Sequence, residues 1–565
     1  MMEVCDVSVG SSTNRVIDGV SLRFRPRAMN AVIGPSGCGK TTLVRSAVGS
    51  SALEVDGKFL LDGRELKDNE DRVGRVGYVP QFCVAHEDLS VEESITYSLR
   101  LLDVRPQEMT RRVDELLSQT GLTGLRSQMV GRLSGGQLRR MALALELVAD
   151  PELLFCDEVT AGLDPESEEG ILDLIRSLVD RQGKTVVNVI HNLHHLERFD
   201  WIVVLKKGQK IFEGDYASFL QWFQLEDPVR LFRLINEEGS EDDWRRRWAD
   251  QEETVQNPSP PIVDMESEDG SGGVARGRPR PAGFARQAST LLNRRLRLFF
   301  RDRGVLLLTA AITIGFPLLV VIFALDGIPQ LSRLSLDSTL GALAQIESKM
   351  AFAKEAAELG SLVSSLILFQ VVLLTLTGGN NGAREIAPEA DLFFQESLRG
   401  LKPGPYCLEK ILFSGSIAVL QGVAMTIIVK SVVHFPGSWW VQMTTLTLVS
   451  LCLTWLALGF SAWMKSGEKA SLLAIYIVGF QLPLSGVVIS LPEPFIDIVR
   501  LVITTYWGWA AFLGSFRETG LYDAAVIVSE ETVPAVGLSI MVLAIQALSA
   551  IVLVLSGVAH RRNSS

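Results

Sequence analysis

The chain has 565 residues, 47% of them apolar, and a formal net charge of -11. That balance argues against a nucleic-acid binder, which normally presents a basic face. The length would hold about three or four soluble domains, but the apolar content fits one soluble domain joined to membrane helices. Six cysteines, Cys5, Cys38, Cys83, Cys156, Cys407 and Cys452, are scattered without CxxC pairing, so neither a disulfide framework nor a zinc site is expected. The first residues, MMEVCDVSVG, lack a charged segment followed by an apolar run, and no secretory signal is expected.

Residues 1–225 alternate short β-branched runs, among them AMNAVIG, ELLFCDE and KTVVNVI, with polar helical stretches, the pattern of α/β units around a parallel sheet. The stretch 226–284 turns acidic, then Pro-rich, then Gly- and Arg-rich, and is expected to be a flexible charged linker. Over 285–303, Leu291, Leu292, Leu296, Phe299 and Phe300 interleave with six arginines, which predicts an amphipathic connecting helix on the cytosolic membrane face.

The rest, 304–565, is expected to be an all-α transmembrane domain with six spans at about 305–325, 359–377, 411–429, 439–464, 470–491 and 533–559. Each meets the roughly 20 residues a bilayer crossing needs. The shorter apolar segment at 495–516 follows Asp497 and Arg500 and is expected to be re-entrant or interfacial. With six spans, the Arg-rich helix, Lys465 and Lys469, and Arg561 and Arg562 fall on one side, which the positive-inside rule makes the cytosol. The charged segment 326–358 is longer than a turn and is expected to form an external helix or cap.

The chemistry is concentrated in the first domain. GPSGCGKTT, Gly34 to Thr42, fits GxxxxGK[ST] between an apolar strand and a helical stretch. In such a loop backbone N–H groups wrap nucleotide phosphates, with Gly34, Ser36, Gly37, Cys38, Gly39 and Thr42 lining the cradle. Lys40 reaches the β- and γ-phosphates and Thr41 holds Mg²⁺. ELLFCDE is a strand ending in two carboxylates: Asp157 would steady the metal and Glu158 would polarise the attacking water, since phosphoryl transfer needs positioning and charge stabilisation above all.

These motifs, together with YVPQF, LSGGQ, GLDP and VIHN in that order, resemble an ABC-type ATPase. The resemblance implies catalytic roles for Glu158, His191 and Gln81, with Gln81 also touching Mg²⁺, and a communicating role for Asp164. It implies further that Ser134, Gly135, Gly136 and Gln137 bind the γ-phosphate of ATP held by a second chain, because each chain has one phosphate loop and one LSGGQ. Val159 and Ala161 depart from the family's usual Pro and Ser, and no aromatic residue lies near Val9 to Ser11 to stack adenine.

The domain order resembles the G subfamily of ABC half-transporters and their bacterial relatives, with an ABC-2 type membrane half. That implies a coupling helix around Glu396 and a substrate path near Phe369, Gln370, Phe480 and Gln481. The expected function is ATP-driven efflux of a hydrophobic or amphipathic compound by a homodimer, with ATP and Mg²⁺ as cofactors, no nucleic acid, and both termini cytosolic in a plasma or bacterial inner membrane. An ATPase that gates without moving cargo, or one half of a heterodimer, fits the same residues.

Overall fold

The computed structural model describes residues 1–11, 14–51, 53–237, 244, 248, 280–325, 342–487, 492, 495–529 and 533–564. They form two units: Met1–Thr290 with Asp391–Lys402 and Arg562–Ser565, and Leu291–Ala390 with Pro403–Arg561.

The first unit holds two sheets. Antiparallel β1 (Met2–Ser11), β2 (Asn14–Phe24), β4 (Val55–Leu61) and β5 (Arg64–Glu65) lie in the order β2-β1-β4-β5. The six-stranded sheet runs β10-β9-β3-β8-β7-β6, from Gln209–Gly214, Trp201–Lys206, Met29–Ile33, Thr185–Val189, Leu153–Asp157 and Val76–Val79. All its pairings but β9/β10 are parallel. Strands β3 and β7 are buried along their whole length, which is why they read as continuous apolar runs. The carboxyl ends of β3, β6, β7 and β8 lead into the phosphate loop, Gln81, Glu158 and His191, and such strand ends are where open parallel sheets hold ligands.

Part of the expected linker is folded. A 3₁₀ turn, Pro228–Arg230, leads into the helix Leu231–Glu237, whose Leu231 and Ile235 are fully buried, as is Trp244. Apolar residues spaced at one helical turn overrode the acidic composition around them. Residues 238–243, 245–247 and 249–279 lie outside the described residues. The connecting helix runs Phe284–Arg301, and its face carrying Gln287, Thr290, Leu291 and Arg294 is buried in protein.

Among the described residues of the second unit, five helices are long and apolar enough to cross a membrane: Arg303–Phe323, Ala342–Ala383, Pro403–Val433, Trp439–Trp463 and the stretch Val536–Arg561. The span expected at 470–491 is instead the 15-residue helix Gly467–Gln481, followed by the 3₁₀ turn Pro483–Ser485. Pro483 disfavours helix at the residue before it and lacks an N–H, and Gly486 turns the chain at φ +75°. The segment expected to be re-entrant forms two helices, Phe495–Arg500 and Thr504–Gly514, and every residue from Thr504 to Leu513 is buried.

Residues 326–341 lie outside the described residues, but 342–358 are simply the first turns of the 42-residue helix that also holds the second expected span. A helix Gly520–Ser529, not anticipated, packs on it so closely that a Cβ at Gly360 would lie 2.1 Å from the Ala524 carbonyl oxygen. Charges stand at the ends of the third span. Lys410 sits 2.6 Å from Glu389, and Lys430 donates to the Gly437 carbonyl at 2.7 Å and to Gln442 Oε1 at 2.8 Å.

Candidate functional site

The phosphate loop leaves β3 at Gly34, where a Cβ would fall 2.2 Å from the Leu205 carbonyl oxygen; only glycine fits there. Gly37 holds φ +77° with nothing within 4 Å of its Cβ position, leaving that side of the loop open to a ligand. Ser36 is exposed, whereas Cys38 and Gly39 are buried beneath the loop. The Lys40 ammonium is buried and donates to the carbonyls of Gly34 at 2.9 Å and Pro35 at 3.1 Å, so it is folded over its own loop. Thr41 begins the helix Lys40–Val48 and donates its hydroxyl to Asp157 Oδ1 at 3.0 Å; Thr42 stands beside it on the helix's half-buried side.

Asp157 ends β7 and is 3% exposed. Burial pushes its carboxyl above its ordinary range, and hydrogen bonds from Thr41 and Tyr78 with the Arg45 charge pull it back. Tyr78, which the sequence reading passed over, donates its phenol to Asp157 Oδ2 at 3.2 Å. Burial beside the Asp157 charge pushes that phenol up to about 12.

One residue on, Glu158 adopts φ +53°. A left-handed backbone at a non-glycine residue costs on the order of 1–3 kcal/mol and clusters at functional sites. Its N–H bonds the Val189 carbonyl at 3.1 Å, and its carboxylate meets Gln81 Nε2 at 3.0 Å and His191 Nε2 at 2.5 Å. Two residues from two other strand ends, separated by 77 and 33 positions from Glu158, thus converge on its carboxylate.

The second helix start is built locally. Ser134 caps Gly135–Leu147, its hydroxyl accepting from Gln137 N while Gln137 Oε1 accepts from Ser134 N at 3.0 Å. A Cβ at Gly136 would press on Ser167 Oγ at 2.9 Å. Asp164 caps the next helix, Pro165–Gln182, accepting from Ser167 N at 2.9 Å. The capped start of Gly135–Leu147 has the roughly half-unit positive charge that favours an anion.

The donor set fits a small hard cation: the Thr41 hydroxyl, a buried carboxylate at Asp157 and the Gln81 amide are oxygen ligands of the kind Mg²⁺ takes beside phosphates.

The four candidate path residues lie in the second unit. Gln370 is buried and donates to the Leu366 carbonyl at 3.3 Å within its own helix; Phe369 packs edge-on against Phe323 at 5.5 Å. Gln481 is 2% exposed and accepts from Thr505 N and Oγ1, both at 3.2 Å. Phe480 is exposed.

Residues 17–161 match the family model described as ABC transporter, and 286–516 match that described as ABC-2 type transporter. Over 510 residues the chain is 28% identical to ABC transporter ATP-binding/permease protein Rv1747 of Mycobacterium tuberculosis, covering 88% of this chain and 55% of that protein. It is 34% identical over 222 residues to ABC transporter G family member 21 of Arabidopsis thaliana, covering 37% of this chain and 32% of that protein. It is 33% identical over 216 residues to energy-coupling factor transporter ATP-binding protein EcfA1 of Thermotoga maritima, covering 38% of this chain and 82% of that protein. The chain therefore spans little more than half the length of the Mycobacterium relative.

Proposed function

The chain belongs to the ABC transporters, and on that premise we propose that it is an ATP-driven half-transporter that works as a homodimer and exports a hydrophobic or amphipathic compound. The observation that carries this reading is the convergence of Gln81 and His191 on Glu158, next to an Asp157 already held by Thr41.

In that site the phosphate-loop N–H groups and Lys40 bind the β- and γ-phosphates, and Glu158 orients the attacking water. His191 contacts the γ-phosphate. Thr41, Asp157 and Gln81 would hold Mg²⁺, which when bound neutralises charge on the phosphate oxygens. Ser134 to Gln137 present a capped helix start to the γ-phosphate bound by the partner copy, so the two chains together make two sites. The chain is a membrane protein. The side carrying Arg286 to Arg303, Lys465 and Lys469, and Arg561 is proposed to be cytosolic, with both termini and the ATPase unit there.

The test uses inside-out vesicles carrying the wild type or Glu158→Gln, followed by untargeted mass spectrometry of their contents. A compound that accumulates with ATP in the wild type and not in the variant is the expected result. Wild-type vesicles that hydrolyse ATP yet enrich nothing from lipid and metabolite extracts would overturn export in favour of gating.

A further inference from the structure

Tyr78 lies on β6, three residues before Gln81, and is 4% exposed. Two separate bonds leave it. Its phenol donates to Asp157 Oδ2, the carboxylate oxygen that Thr41 does not hold. Its backbone N–H donates to Glu146 Oε2 at 3.2 Å. Glu146 is 2% exposed on the LSGGQ helix, and its other oxygen takes Nε and Nη2 of Arg399 at 3.1 and 2.8 Å. Arg399, itself 4% exposed, closes the helix Ala390–Leu398, whose residues from Asp391 on fold with the ATPase unit.

A second line reaches the same residue from the opposite end of that helix. Arg45 stands one turn after Thr41 on the phosphate-loop helix, and its charge interacts with the Tyr78 phenol and with Asp157 and Asp391. Tyr78 is therefore linked to both ends of segment 391–402, to one through its backbone N–H and to the other through its phenol, and the phenol bonds the carboxylate placed to hold the metal.

We propose that Tyr78 is a positioning residue for metal binding, fixing the Asp157 carboxylate through its phenol and tying that carboxylate, through Glu146 and Arg45, to segment 391–402. Asp157 is buried, and a carboxylate with only one oxygen held, by Thr41, can still turn about Cβ–Cγ; the phenol on the other oxygen restrains that turn. Partners of metal-binding groups typically change metal affinity about 10- to 100-fold when removed. Movement of Arg399 or Asp391 then alters how well the metal is held before any group that touches ATP has moved. The proposal rests on the ATP-site reading above.

The experiment uses the full-length chain in nanodiscs and a non-hydrolysable ATP analogue, with affinity measured in EDTA and across a Mg²⁺ titration, beside a thermal melt. Tyr78→Phe is expected to keep the EDTA affinity and the melting temperature while raising the Mg²⁺ midpoint about tenfold. Arg45→Met, at an exposed position, should shift the midpoint the same way by less, since its charge acts on both the phenol and Asp157. An unchanged midpoint in Tyr78→Phe, or an equal loss of affinity with and without Mg²⁺, would overturn the proposal. If the wild type gains nothing from Mg²⁺, or Asp157→Asn leaves that gain intact, the ATP-site assignment falls and this role falls with it.

Discussion

In the ATPase unit the polar groups at three strand ends gather in two adjoining sets: Tyr78 bonds Asp157, and Gln81 and His191 bond Glu158 one residue on. In the helical unit the side-chain amides serve packing. Gln370 bonds its own helix, Gln481 holds the start of Thr504–Gly514, and Asn381 donates to Gln421 at 2.8 Å between two helices. The first arrangement leaves chemistry to be done on a ligand, and the second fixes packing. Phosphate handling makes the same demands in any ATPase, so short motifs announce it. Cargo recognition by a mostly apolar surface has no such fixed vocabulary.

The largest effect expected from breaking the first arrangement is on turnover. Glu158→Gln keeps the shape of the side chain but removes the charge, and phosphate release by the purified protein should fall roughly 10²- to 10⁴-fold with ATP binding retained. Turnover near wild type would mean that Glu158 does not position the attacking water.

Arg399→Met strands a buried Glu146 and should lower stability by about 3–5 kcal/mol at neutral pH, read by thermal or denaturant unfolding. The pH dependence has a defined sign. Burial already raises Glu146 above its ordinary carboxyl value despite Arg399, and losing the cation raises it further. A carboxyl with a raised folded pKa contributes stability below its unfolded value, about 4.3, and loses it as pH climbs through the folded value. The deficit of Arg399→Met should therefore shrink toward acid pH, and a pH-independent deficit would mean that Glu146 is not the stranded charge.

In the helical unit, Gly382→Val drives a side chain toward the Thr454 carbonyl, where a Cβ would lie 2.1 Å away, and should destabilise that unit by at least the roughly 1–3 kcal/mol of an overpacked core. ATP binding by the first unit should be unaffected. The smallest effect is expected at Cys38. Its side chain is buried under the loop, only its backbone faces the cradle, and Cys38→Ala should change turnover by less than a few-fold.

What could be read from the sequence follows the same division. Gly34, Lys40, Asp157, Glu158 and the capped start at Ser134 stand out in the sequence because a phosphate loop, a strand-end carboxylate pair and a helix cap each fix residue type and local backbone together. Tyr78 does not: a tyrosine in an apolar strand gives no sign of a carboxylate 79 residues later. Glu146 left a usable trace, since a carboxylate inside MALALELV has to find a buried cation, but nothing in the sequence points to Arg399, 253 positions away. Among the helices, hydropathy located the apolar stretches well. It overran at 470–491 because a hydropathy average does not see Pro483 and Gly486 break the helix, and it missed that 342–358 continues into the second span because charged residues are good helix formers.

The central claim is that each ATP site is shared between two copies of the chain. Coexpressing Lys40→Ala, which retains Ser134, with Ser134→Ala, which retains Lys40, and assaying ATP hydrolysis by purified mixed dimers tests it directly. Sharing predicts that the mixed dimer regains one whole site and measurable turnover, while either variant alone stays inactive. A mixed dimer no more active than the two homodimers would contradict it.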